Sequence, residues 1–182
     1  AVAKQLRSLK IKVYVEKTPP DLTGLYSEIS DLGGITGHSK EATSLIKQIK
    51  AERVKAINRV SSKKLSIYHE LDNTLYSATS STFIGKVYAD FDLTNIADSA
   101  AKADDGGYPQ LQNEYLIVAN PKIIFLADAQ YGEDATKVAA RPGWNGIDAV
   151  KNQKIISLPA DIASRWGPRI IDFYKIVANA LS

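Results

Sequence analysis

Three short apolar runs, "LSIYHEL", "PKIIFLAD" and "KIISL", are each followed by a polar loop and then by residues at helical spacing. That alternation narrows the fold more than any other feature. Short β-branched runs alternating with amphipathic helices imply a parallel sheet covered on both faces, an α/β fold. The intervening helices are read from "SSTFIGKVYADF", with Ser80 or Ser81 as N-cap, from "LQNEYLIVAN" and from "AVKNQ". The last helix, "RIIDFYKIVANAL", sets Ile170, Ile171, Tyr174, Val177 and Leu181 on one face. In open α/β sheets, ligands bind outside the carboxyl ends of the strands. The loops leaving those ends are "DNTLYSATSS", "DAQYGEDATK" and "PADIASRWGPR", and all three are expected on one edge.

The first third of the chain has a different grammar. "IKVYVEK", closed by "TPPD", is expected as a strand. Asp21 is expected to cap a helix over "LTGLYSEISDL" that stops at Gly33-Gly34. A long helix is expected from Ser39 to Val60, with Ala42, Leu45, Ile46 and Ile49 on one stripe that Val54, Ile57 and Val60 continue. Its length would be about 30 Å, suited to a strut joining two bodies.

Composition removes several function classes. Among 182 residues, 23 Lys and Arg are interleaved with 20 Asp and Glu, and the net charge is only +3. A nucleic-acid footprint needs clustered basic residues, so none is expected. No apolar run approaches the ~20 residues of a membrane-spanning helix. Cysteine is absent, which excludes disulfides and thiol chemistry. Methionine is absent even at the first position, and the chain is expected to be a piece of a longer polypeptide. The opening "AVAKQLRSLK" has no apolar core and is not a signal peptide. The two histidines, His38 and His69, differ in context and make a poor metal site. His69 and Glu70 are neighbours on one strand and point to opposite faces. With no P-loop, no G-x-S-x-G and no H-E-x-x-H, the chain offers little to an enzymatic reading.

A few loop residues carry chemistry. Arg165 and Trp166 can stack on a flat conjugated ligand and pair with its anionic groups, or the indole can pack under the loop while Arg165 caps the sheet edge. Arg169 reads as structural, a holder of loop carbonyls. Trp144, after Pro142-Gly143, reads as core or rim. Tyr108 follows the turn at Gly106-Gly107 and precedes the helix holding Glu114, which on its own reads as a solvated helix charge.

Taken in order and spacing, the segments "IKVYV…DLTGLYSEISDLGGITGHSKEATSLI", matching the final strand of an N-terminal lobe and the start of a long helix, "YHELDNTLYSATSSTFIGKVYADFDLTNIAD", "YPQLQNEYLIVANPKIIFLAD" and "RPGWNGIDAVKNQKIISLPADIASRWGPRIIDF" resemble the iron-chelate and cobalamin class of periplasmic-type substrate-binding proteins of ABC importers, truncated at the N-terminus. The resemblance covers essentially the whole chain. It implies two α/β lobes joined by a long helix. Residues 1–36 would be the remnant of the N-terminal lobe, 37–62 the interlobe helix, and 63–182 the Rossmann-like C-terminal ligand-binding lobe. It implies that Glu114 is the carboxylate that meets an arginine pocket on the permease. Tyr108, Arg165 and Trp166 would line the ligand cleft, with Tyr76, Ser77 and Thr79 from the first cleft loop. Lys122 departs from the family, which usually has an acidic residue there. The implied function is extracytoplasmic capture of an iron–siderophore, haem or cobalamin, delivered to ABC permease subunits. No cofactor, no nucleic acid and no catalysis are implied, and membrane contact would run only through the transporter or a lipid anchor absent from this chain. The alternatives are a metal-chelatase-like enzyme on a related two-lobe scaffold and an isolated lobe that binds nothing.

Overall fold

A computed structural model describes residues 2–16, 18–61, 64–163 and 167–182. Its sheet holds four parallel strands: β1 (Ser66–Glu70), β2 (Thr94–Asn95), β3 (Ile123–Leu126) and β4 (Ile155–Ser157), in the order β2-β1-β3-β4. Three of them are legible as apolar runs; β2, only two residues long, is not. The helices are α1 (Val2–Ser8), α2 (Leu22–Thr36), α3 (Ser39–Asn58), α4 (Phe83–Ala89), α5 (Asn113–Ala119), α6 (Ala135–Ala139), α7 (Asp148–Lys151), α8 (Ala160–Ala163) and α9 (Ile170–Leu181). No helix among the described residues is long and apolar enough to cross a membrane.

Strand alternation splits the core in two. Ile67, Ile123 and Phe125 face one way, into a cluster built with Tyr88 of α4, Ile49 of α3, Leu25 of α2, and Phe173 and Tyr174 of α9. Tyr68, Ile124 and Leu126 face the other way, into a cluster with Leu116 of α5, Val138 of α6 and Trp144. Both faces of β1 and β3 are therefore buried, which is why their sequences read as continuous apolar runs rather than alternating ones.

The helix boundaries differ from expectation in instructive ways. Asp21 caps α2 as expected, its carboxylate accepting from Gly24 N at 2.9 Å. The helix does not stop at Gly33-Gly34, however. It runs to Thr36 and closes on Gly37, whose φ of 78° is left-handed. Gly33 serves packing instead: a Cβ there would lie 2.4 Å from the Ala42 Cβ, so the missing side chain lets α2 and α3 touch. The long helix α3 begins at Ser39 with His38, not Ser39, in the cap position. Its 20 residues span about 30 Å. The cap of α4 is Thr82, whose hydroxyl accepts from Gly85 N, rather than Ser80 or Ser81.

The strand expected at "IKVYVEK" does not form over its described residues, 11–16. Residues 11–16 pair with no strand among the described residues, and Ile11, Tyr14 and Val15 are exposed. A strand needs a neighbour to satisfy its ladder, and the sheet has no member beside this segment among the described residues. Before it, Val2–Ser8 form the short helix α1, with no buried residue.

Candidate functional site

The strand order reverses direction between β1 and β3: the chain moves from β1 to β2 on one side, then crosses to β3 and β4 on the other. Such a switch point opens a crevice at the carboxyl ends of the two central strands. Here, among the described residues, a buried ion-pair cluster occupies it. Glu70 ends β1 with no solvent exposure, and Arg141 grips both its oxygens at 2.6 Å. The same guanidinium reaches Glu133, in the loop after β3, at 2.9 Å. Burial pushes the Glu70 carboxyl up, and Arg141 only partly pulls it back. Asp128, just beyond β3, is buried with neither carboxylate oxygen bonded among the described residues, and burial raises it too. None of these four stands out as a site residue in the sequence. The one available signal is an acidic residue at or just past the carboxyl end of each central strand.

Above this floor lies a two-stranded ribbon. The loop after β1 runs antiparallel to residues 107–111: Leu111 N donates to Leu75 O (3.0 Å), Ser77 N to Pro109 O (3.0 Å) and Thr79 N to Gly107 O (2.9 Å). Gly107 is required there. Its φ is 88°, and a Cβ would come within 2.9 Å of Ser81 Oγ and the Thr82 methyl. Asp105 braces the turn by accepting from Gly107 N, and Asp98 braces the opposite loop by accepting from Ser80 N and Oγ at 2.7 Å.

The ribbon brings Tyr76 and Tyr108 together. They are 40% and 39% exposed and line one hollow of about 490 Å³ with Lys102, Asp104, Asp105 and Gln110. Ser77 and Thr79, expected as ligand contacts, are placed otherwise. Ser77 is fully buried, and its hydroxyl donates to His69 O at 2.8 Å; Thr79 is buried and shares a 2.7 Å bond with Ser81. Their side chains hold the loop rather than face a guest. Gly85 does similar work from below, since a Cβ there would lie 2.0 Å from Thr79 O. Gly85→Ala is expected to shift this loop and cost about 1–3 kcal/mol, read by chemical denaturation.

The loop after β4 enters the same edge two strands from β1, about 10 Å away at normal strand spacing. Arg165 and Trp166 belong to it but lie outside the described residues. Arg169, expected to hold loop carbonyls, instead pairs with the Asp161 carboxylate at 2.5 Å, tying the two ends of that loop. The loop after β3 offers Tyr131, 81% exposed, which no motif in the sequence marks. Lys122 pairs with Asp148, so its departure from the acidic pattern is absorbed locally.

Glu114 is exposed in the first turn of α5. Val118, one turn on along the same face, is 83% exposed. His69 lies on the other side of the sheet, fully buried, with Nδ1 2.8 Å from the Tyr88 hydroxyl. Among the described residues no group of three or more His, Asp or Glu side chains is placed to hold a metal ion.

The geometry is that of a parallel α/β lobe with buried ion pairs at its switch point and two exposed tyrosines on the loops beside it. Residues 1–162 match the family model described as periplasmic binding protein, and the chain belongs to that family. It is 28% identical to the uncharacterized ABC transporter substrate-binding lipoprotein YvrC of Bacillus subtilis (strain 168), over 98% of this chain and 56% of that protein. The chain thus spans little more than half the length of this curated relative. Among solved structures, it is similar to a possible iron-binding (periplasmic solute-binding) protein from Staphylococcus epidermidis ATCC 12228, with TM-score 0.82 and 27% identity over 97% of this chain and 69% of that one. It also matches the periplasmic heme-binding protein HutB of Vibrio cholerae, with TM-score 0.84 and 19% identity over 98% of this chain and 70% of that one, a likeness of fold.

Proposed function

We propose that this chain is the ligand-binding and docking lobe of an extracytoplasmic substrate-binding component of an ABC importer, and that its guest is a metal chelate or macrocycle of the iron–siderophore, haem or cobalamin class. The observation that carries this reading is that two exposed phenols, Tyr76 and Tyr108, line one hollow beside the carboxyl end of β1. Aromatic faces suit flat conjugated guests, and the phenol hydroxyls suit their polar periphery. The named roles of the relatives, a substrate-binding lipoprotein, a possible iron-binding protein and a heme-binding protein, point the same way. The lipoprotein relative supports an extracytoplasmic location. On this reading residues 1–36 are the remnant of an N-terminal lobe, 37–62 the joining helix and 63–182 the ligand lobe, with Leu25 of α2 packed into the ligand lobe's core. Arg165 and Trp166 are proposed as further ligand contacts from their loop. Glu114 is proposed to meet a cationic pocket on the permease, with exposed Val118 extending the contact along α5.

A chelatase-like enzyme would need a histidine meeting carboxylates in the cleft. His69 sits on the face opposite Glu70, fully buried against Tyr88, and gives that reading no support. Absorbance titrations with haem, cobalamin and a ferric siderophore test the proposal. One of the three is expected to bind, and Tyr108→Ala to weaken it about tenfold or more. No spectral change with any of them, or binding indifferent to both Tyr76→Ala and Tyr108→Ala, would overturn it.

A further inference from the structure

Trp144 is fully buried, yet its indole nitrogen finds its partner at the start of a surface helix. Nε1–H donates to Asn113 Oδ1 at 2.6 Å, and the Asn113 amide donates onward to Pro142 O at 3.3 Å. Asn113 is the first residue of α5; the next residue is the exposed Glu114. The indole itself has little freedom. The Arg141 guanidinium lies 4.7 Å from its ring, and Tyr68 meets it at 6.3 Å and 70°. Arg141 is fixed in turn by Glu70 and Glu133 at the sheet's carboxyl edge. The backbone that carries Glu114 is therefore anchored through one side chain to the buried ion-pair cluster of the lobe.

We infer that Trp144 and Asn113 are positioning residues for the docking carboxylate of Glu114. The inference rests on the docking role proposed for that residue. The physical reason is pre-organisation: a contact group whose backbone is already fixed loses less conformational freedom on association than one on a loose turn. Glu114 needs this because α5 is only seven residues long, and helices that short do not hold their first turn unaided. The hydrogen bond from the indole supplies the missing constraint. By way of Arg141 it also joins the docking corner to the charge cluster under the ligand edge.

The test measures association of this chain with the importer's permease complex in nanodiscs. Asn113→Ala is expected to weaken association about fivefold to tenfold while haem, cobalamin and siderophore titrations stay unchanged. Trp144→Phe removes the donor and should reproduce Asn113→Ala, which provides the test should Asn113→Ala fail to fold. In a Glu114→Ala background, Asn113→Ala should have no further effect; a merely structural role would weaken binding equally in both backgrounds. Association unchanged in Asn113→Ala and Trp144→Phe, or full additivity with Glu114→Ala, overturns the inference. Association unchanged in Glu114→Ala, or absent in the wild-type chain, overturns the docking reading itself.

Discussion

Replacing Arg141 with methionine is expected to cost the protein about 3–5 kcal/mol, the usual range for stranding a buried charge. Glu70 is fully buried and Arg141's side chain only 16% exposed, so water cannot take over the lost bonds. Urea or thermal unfolding of the variant gives the number directly. The double variant Glu70→Leu, Arg141→Met should recover part of the loss, because it removes the fully buried carboxylate and leaves only Glu133, whose side chain is 15% exposed, deprived of its partner. Equal destabilisation of single and double variants would mean that the pair acts by packing alone. A loss below about 1 kcal/mol would place the pair in the class of surface ion pairs, against its burial.

The second large effect is acid lability from His69. Complete burial lowers its pKa from the ordinary 6.5 to about 3. An unfolded chain takes up that proton near 6.5; the folded one takes it up only near 3. Between those values the unfolded state holds more protons, so stability falls as pH falls, and the histidine's share is fully in hand only above 6.5. From pH 7 to pH 4 the expected loss is about 3 kcal/mol. His69→Gln removes the titrating group, and its stability should fall by correspondingly less over the same interval. Parallel pH profiles for the two proteins would contradict the assignment.

Much of the lobe can be read from the chain because its signals are local. The central strands are buried on both faces, so "IIFL" and "SIYHE" announce themselves without partners. The order of strand, loop and helix puts the loop after β1 at the carboxyl edge of the sheet, where Tyr76 lines one hollow with Tyr108. What escapes depends on distant partners. Gly33 looks like a stop signal, and only Ala42 on the facing helix shows that its bare Cα is needed for contact. Ser80, Ser81 and Thr82 are equivalent as capping residues until the backbone chooses among them. Glu70 and Arg141 lie far apart in sequence, and neither carries a local mark of the other. "IKVYVE" has every property of a strand except a neighbour, and the neighbour decides.

The occupied crevice between β1 and β3 has a consequence for how a guest leaves. In a lobe of this kind a deep notch would swallow part of the ligand and make its exit slow. Here the Glu70–Arg141–Glu133 ion pairs occupy the notch among the described residues, so a guest of the proposed kind would rest against the exposed phenols of Tyr76 and Tyr108 rather than between the strands. Held from one side only, it would stay briefly on this lobe by itself, and lasting retention would need a second surface.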